Sequence, residues 1–170
     1  KRSADWFNRM QGIALGAVAA ISGITFTVKK CVEEYAKMDD EMTNVRKYTG
    51  QTAEEVERMN EDFKKMDTRT PRQKLNQLAE DAGRLGITST AAVEEFVDGA
   101  DKINVAIGDD LGDKAVSQIG KLAQMFGEDK TMGLRGAMLA TGSAINELAQ
   151  NSSASAGYLV DFTARVAGVG

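Results

Sequence analysis

Histidine is absent from the 170 residues, cysteine and proline occur once each, and aromatic side chains make up only 6%. Without histidine the chain has neither the commonest metal ligand nor the side chain that most often serves as a general base near neutral pH. A lone Cys31 excludes an intramolecular disulfide. The single proline, Pro71, leaves long stretches free of a residue that costs about 3 kcal/mol inside a helix. No segment is basic enough to grip phosphates: residues 1–50 carry 8 basic and 6 acidic groups, 51–110 carry 8 and 14, and 111–170 carry 5 and 5. Specific nucleic-acid binding is therefore not expected.

A hydrophobic content of 42% suffices for a core, and the Ala-, Glu-, Lys- and Met-rich composition favours helix throughout. No stretch alternates with period two for long enough to propose a strand. The expected architecture is all-α, with a long helix over residues 1–48 followed by a helical core module over 49–170 made of about six shorter helices. The chain reads as a piece of something longer. Lys1 and Arg2 followed by the apolar run from Gly12 to Val28 mimic a secretory leader, but Asp5, Trp6 and Arg9 intervene and no cleavage-like stretch follows.

A seven-residue repeat runs through Phe7, Met10, Ala14, Ala17, Ile21, Ile24, Val28, Cys31, Tyr35, Met38, Met42 and Val45. Its second half is the informative part, because Lys29, Lys30, Glu33, Glu34, Lys37, Asp39, Asp40, Glu41, Arg46 and Lys47 all fall off the seam. A helix over residues 4–48 would be roughly 65 Å long at ~1.5 Å per residue. Its apolar edge is expected to associate with further copies of itself, through Gly12, Gly16, Ile21, Gly23, Ile24, Val28, Tyr35, Met38, Met42 and Val45. Gln11 to Val28 is also 18 residues without a charge and contains Gly12-x-x-x-Gly16, a close-packing motif of membrane helices. Burial or self-association is the preferred reading of that run, and membrane entry is its rival.

Thr49-Gly50 ends the first helix, and Thr52-Ala-Glu-Glu55 opens the next with a capping box. Val56, Met59, Phe63 and Met66 form its stripe. Thr70 is expected to cap a third helix, with Pro71 in its first position and Gln73 reciprocating. Leu75, Leu78, Ala79, Ala82 and Leu85 form its buried face, and Gly86 stops it. The next buried stripe is Val93, Phe96, Val97, Ala100, Ile103 and Ile107, stopped by Gly108. Ala115, Ile119, Leu122, Ala123 and Phe126 mark a shorter helix, and Leu134, Met138, Thr141, Ile145 and Leu148 a longer one. The last helix is expected to begin near Ser153 and to bury Leu159, Phe162 and Val166.

A faint repeat relates Ser89-Thr-Ala, Val97-Asp98 and Lys102-Ile103 to Ser152-Ser-Ala, Val160-Asp161 and Arg165-Val166 at an offset of 63 residues, with Gly108 and Gly170 following at an offset of 62. It reflects either duplication of a helical unit or shared helix grammar. The acidic clusters at Glu54, Glu55, Glu57, Glu61 and Asp62, and at Asp109, Asp110 and Asp113, read as solvated faces and helix N-terminal charge. Asp109-Asp-Leu-Gly-Asp113 lacks the alternating ligands and closing glutamate of a calcium loop. No catalytic group, cofactor or metal is expected.

The stretch from Tyr35 to Gly50, containing Asn44-Val-Arg-Lys-Tyr-Thr-Gly50 and followed by Thr52-Ala-Glu-Glu55, resembles the start of the core region of bacteriophage tail tape measure proteins. The segments Leu78–Ser89, Val97–Gly112 and Ala154–Gly170 are similar to the short helices that follow in that family. Together they cover roughly residues 30–170. One departure is Thr68-Arg-Thr-Pro71-Arg-Gln, where the family commonly has Thr-Thr-Pro-Phe-Ser. The resemblance implies a structural scaffold in the phage tail lumen, present in a few copies. It would be held by tail assembly chaperones in the host cytoplasm, nucleate tail tube polymerisation at the tail tip and set tail length. It would leave ahead of the DNA on ejection, with apolar segments meeting the host membrane. A membrane-active helical protein and a generic helical adaptor are the alternatives.

Overall fold

The computed structural model describes residues 28–112 and 114–168, and among these every regular element is helical. Helix α1 covers residues 28–49. It is followed by α2 (Ala53–Phe63), α3 (Arg72–Arg84), α4 (Thr90–Ile107), a 3-10 turn (Gly108–Asp110), α5 (Ala115–Met125), α6 (Asp129–Gln150) and α7 (Ala156–Val166). The expected helix over residues 4–27 lies outside the described residues. The chain divides into two compact units, Lys1–Asp40 and Glu41–Gly170, rather than at 48/49. The boundary falls early because the last two turns of α1 belong to the second unit: Val45 and Thr49 are buried, and Val45 joins the core cluster that also holds Val56, Leu78 and Val93.

Helix starts and stops follow local chemistry. The Thr52 hydroxyl accepts from the Glu55 N–H at 3.2 Å, while the Glu55 carboxylate accepts from the Thr52 N–H at 2.8 Å, completing the expected box. At α3 the expectation fails by one residue. Pro71 itself is the extended residue before the helix, with no side-chain cap, and the Thr70 N–H instead donates to the Thr68 hydroxyl at 3.0 Å. That local Ser/Thr-type turn leaves Thr70 one position too early to reach the first helical amides. Gly86, at φ +80°, closes α3: its N–H donates to Gly83 and that of Ile87 to Ala82, each at 3.0 Å. This is a Schellman closure, with Ile87 buried beyond it.

Helix α4 occupies the centre of the second unit and packs against α3, α5 and α6. Its buried face is Val93, Phe96, Val97, Ala100 and Ile103, as the period-3.6 spacing requires. Opposite it, α6 is broken at Gly133 (φ 74°, ψ 160°), so a second helical segment starts at Leu134. Its first amides are satisfied from α4, where the Glu95 carboxylate accepts from the Leu134 N–H at 2.9 Å and the Arg135 N–H at 3.4 Å. One helix thus caps another 39 residues away in sequence. Glu95→Ala is expected to remove about 1 kcal/mol of stability, the usual worth of an N-cap, with Glu95→Gln losing less. Urea denaturation of the three proteins checks this, and equal stability of all three would refute the cap.

The two halves of the faint repeat agree in part. Asp98 pairs with Lys102 at 2.7 Å and Asp161 with Arg165 at 2.8 Å, each at i,i+4. The caps are out of register: Ser89 caps α4, but Ser155, not Ser152 or Ser153, caps α7. The last helix therefore starts later than expected.

Candidate association surfaces

The ten residues expected to form a self-association edge have different fates. Gly12, Gly16, Ile21, Gly23 and Ile24 lie outside the described residues. Val28 and Tyr35 are 57% and 78% exposed, joined on the same stretch by Val32 at 62%. Cys31 is also exposed, and Met38 is half-buried. Met42 packs partly against the core and Val45 is within it. The seam therefore changes role along α1. The pattern that reads as one continuous edge is open as far as Tyr35 and committed to the chain's own interior from Met42, so Val45 cannot meet a second copy. Flanking the open part, Lys29 and Glu33 approach to 3.8 Å, an exposed contact of little energetic weight.

A second open surface was not expected. In α7 the buried residues are Ala156, Val160 and Ala164, whereas Tyr158, Phe162 and Val166 are 62%, 55% and 73% exposed. Phe162 and Val166, expected in the core, face outward, and Leu159 is only partly buried. The reason is close approach. A Cβ at Gly157 would lie 2.7 Å from the Leu111 carbonyl oxygen and 2.9 Å from that of Asp110. Helix α7 thus sits down on backbone through its small residues, and a large side chain on that face would lift it. The outward residues recur at i, i+4 and i+8, and the rings of Tyr158 and Phe162 stack with centroids 6.4 Å apart. Phe126 and Leu148 also differ from expectation and are exposed; each stands at or near the end of its helix, beyond the reach of the core.

The electrostatics are those of helix faces. Asp98 loses solvation, which favours its neutral form, but hydrogen bonds from Lys102 and Arg135 outweigh this and hold its carboxyl below the usual range. The Glu61 carboxyl is lowered chiefly by its hydrogen bond from Lys64. Glu54 is lowered by backbone and Thr52 hydrogen bonding in the first turn of α2, as a carboxylate at a helix N-terminus should be. Among the described residues no three acidic or cysteine side chains gather as a metal would need. No helix among them is long and apolar enough to cross a membrane, and most of the run from Gln11 to Val28 lies outside them. Comparison with family models, with curated proteins and with solved structures finds no match for this chain.

Proposed function

We propose that this chain is the core part of a phage tail tape measure protein, a non-enzymatic scaffold that nucleates tail tube assembly and sets tail length. The observation that carries the reading is the junction in α1. The phrase Asn44–Gly50, which resembles that family, ends a helix whose preceding turns expose Val28, Val32 and Tyr35. An apolar edge of this kind calls for cover from sister copies or an enclosing tube. Tail tube and tail tip proteins, together with tail assembly chaperones, are the partners this reading entails, and the tail lumen is its location.

A ruler must convert residues into length. Duplicating residues 28–41 adds two heptads without shifting the register of Met42 and Val45 into the core. Phage particles carrying the insertion are expected to have tails longer by about 21 Å, from ~1.5 Å of rise per residue, in averaged electron micrographs. Unchanged tail length in otherwise normal particles would sink the ruler reading.

A further inference from the structure

Helix α7 carries two charges, Asp161 and Arg165, of opposite sign and joined at 2.8 Å. Beside them runs the stripe of Tyr158, Phe162 and Val166, each more than half exposed. We propose that this stripe is a contact between two copies of the chain, packed antiparallel about a two-fold axis beside Phe162.

The stripe tapers, its side chains falling in size from Tyr158 through Phe162 to Val166. Two copies running the same way would set tyrosine on tyrosine at one end and leave a gap between valines at the other. Running in opposite directions they close evenly. An axis beside Phe162 sets Tyr158, four residues before it, against Val166, four residues after it, and Phe162 against its own counterpart. The rings of Tyr158 and Phe162 already lie within 13° of parallel, so the surface is flat and loses little side-chain freedom on docking.

The charges select the same occupant. With Asp161 neutralised by Arg165, the stripe offers no net charge to an acidic or a basic ligand, so whatever covers it must be apolar with a neutral rim. A second α7 meets both conditions. In the antiparallel pair the charged rim of one copy faces that of the other, whereas parallel copies would set it against the uncharged side that carries Leu159 and Thr163. Asp161 stands one residue before the axis and Arg165 of the second copy three, a difference of about 3 Å along the helix. The two such approaches of carboxylate to guanidinium outweigh the single approach of carboxylate to carboxylate, and the arginines stay about 9 Å apart along the axis. With aromatic side chains bringing about 150–250 Å² each, the stripe and its rim offer on the order of 500 Å² per copy, about 1,000 Å² in all, the range of weak and transient contacts. Covalent trapping is therefore the suitable readout.

The test uses the full chain with Cys31→Ser, which removes the exposed native thiol, and single cysteines introduced on α7, with helicity checked by circular dichroism. Under mild oxidation Phe162→Cys is expected to form a covalent dimer at least about tenfold faster than Lys64→Cys, an exposed position away from α7. Tyr158→Cys and Val166→Cys, each alone, lie about 12 Å along the axis from their own counterparts. That exceeds the ~7 Å between Cα atoms that a disulfide spans. Each alone should therefore react no faster than Lys64→Cys, while an equimolar mixture of the two should cross-link rapidly to the mixed dimer. The mixture keeps Phe162 in both copies, so it decides the matter if Phe162→Cys itself loosens the contact. A mixture no faster than the Lys64→Cys control would overturn the proposal, as would rapid dimerisation of Tyr158→Cys alone, the signature of parallel packing, or equal rates at all three α7 positions.

Discussion

Phe96→Ala is expected to lower the stability of the chain by about 4 kcal/mol, the range found when a fully enclosed aromatic ring is truncated. Phe96 has no solvent exposure and stands on the buried face of α4, the helix that α3, α5 and α6 all pack against. Its ring lies over Gly120 of α5, so closely that a Cβ at Gly120 would be 2.6 Å from the ring edge. The two residues form one packing unit, ring against bare backbone, and the cavity left by truncation is walled by helices that cannot collapse onto it cheaply. A loss of this size is a large fraction of the ~5–15 kcal/mol that holds an ordinary domain together. Urea denaturation should show a lower midpoint with an unchanged slope. Gly120→Ala supplies the internal check. Alone it drives a methyl into the ring and destabilises; in the Phe96→Ala background it fills vacated space and adds helix propensity, so it stabilises. A Gly120→Ala effect of the same sign in both backgrounds would show that the two residues are not packed as described.

What could be read from sequence was whatever depends on neighbours within one helix. The capping box at Thr52 and Glu55, the glycine stop at Gly86 and the stripe from Val93 to Ile103 all follow from spacing within a few residues, and the all-α class follows from their sum. What could not be read depends on how closely two helices approach. The hydrophobic pattern of α7 contains both a small face and a large face. Size alone favoured burying Phe162 and Val166, but Gly157 against the Leu111 and Asp110 carbonyls selects the small one. The Glu95 cap was invisible because donor and acceptor are 39 residues apart. The continuous heptad of α1 concealed a change of partner, since Val45 is as apolar as Val28 and only the packing distinguishes them.

The strictest test of that close packing is Gly83→Ala. In a helix such as α3 the exchange should favour folding by about 1 kcal/mol on propensity alone. Here it is expected to lower stability by about 2 kcal/mol, because overpacking against an unyielding neighbour outweighs the gain. The added Cβ would lie 2.7 Å from the Tyr48 carbonyl carbon, 2.8 Å from the Thr49 nitrogen and 2.8 Å from the Tyr48 Cβ. Two of these are main-chain atoms, which cannot swing aside as a side-chain tip can. Either α3 or the end of α1 must move, and both are tied down. Thr49 donates its hydroxyl to the Val45 carbonyl at 2.7 Å, Gln51 donates to the Thr88 carbonyl at 3.2 Å, and Val45 is 1% exposed in the core. Gly136→Ala is the matched comparison, since there the nearest atoms are the flexible side chain of Met132 at 3.2 Å and beyond. It should be neutral or slightly stabilising. Thermal melts that placed Gly83→Ala level with Gly136→Ala would mean that α1 and α3 do not meet backbone to side-chain-free backbone.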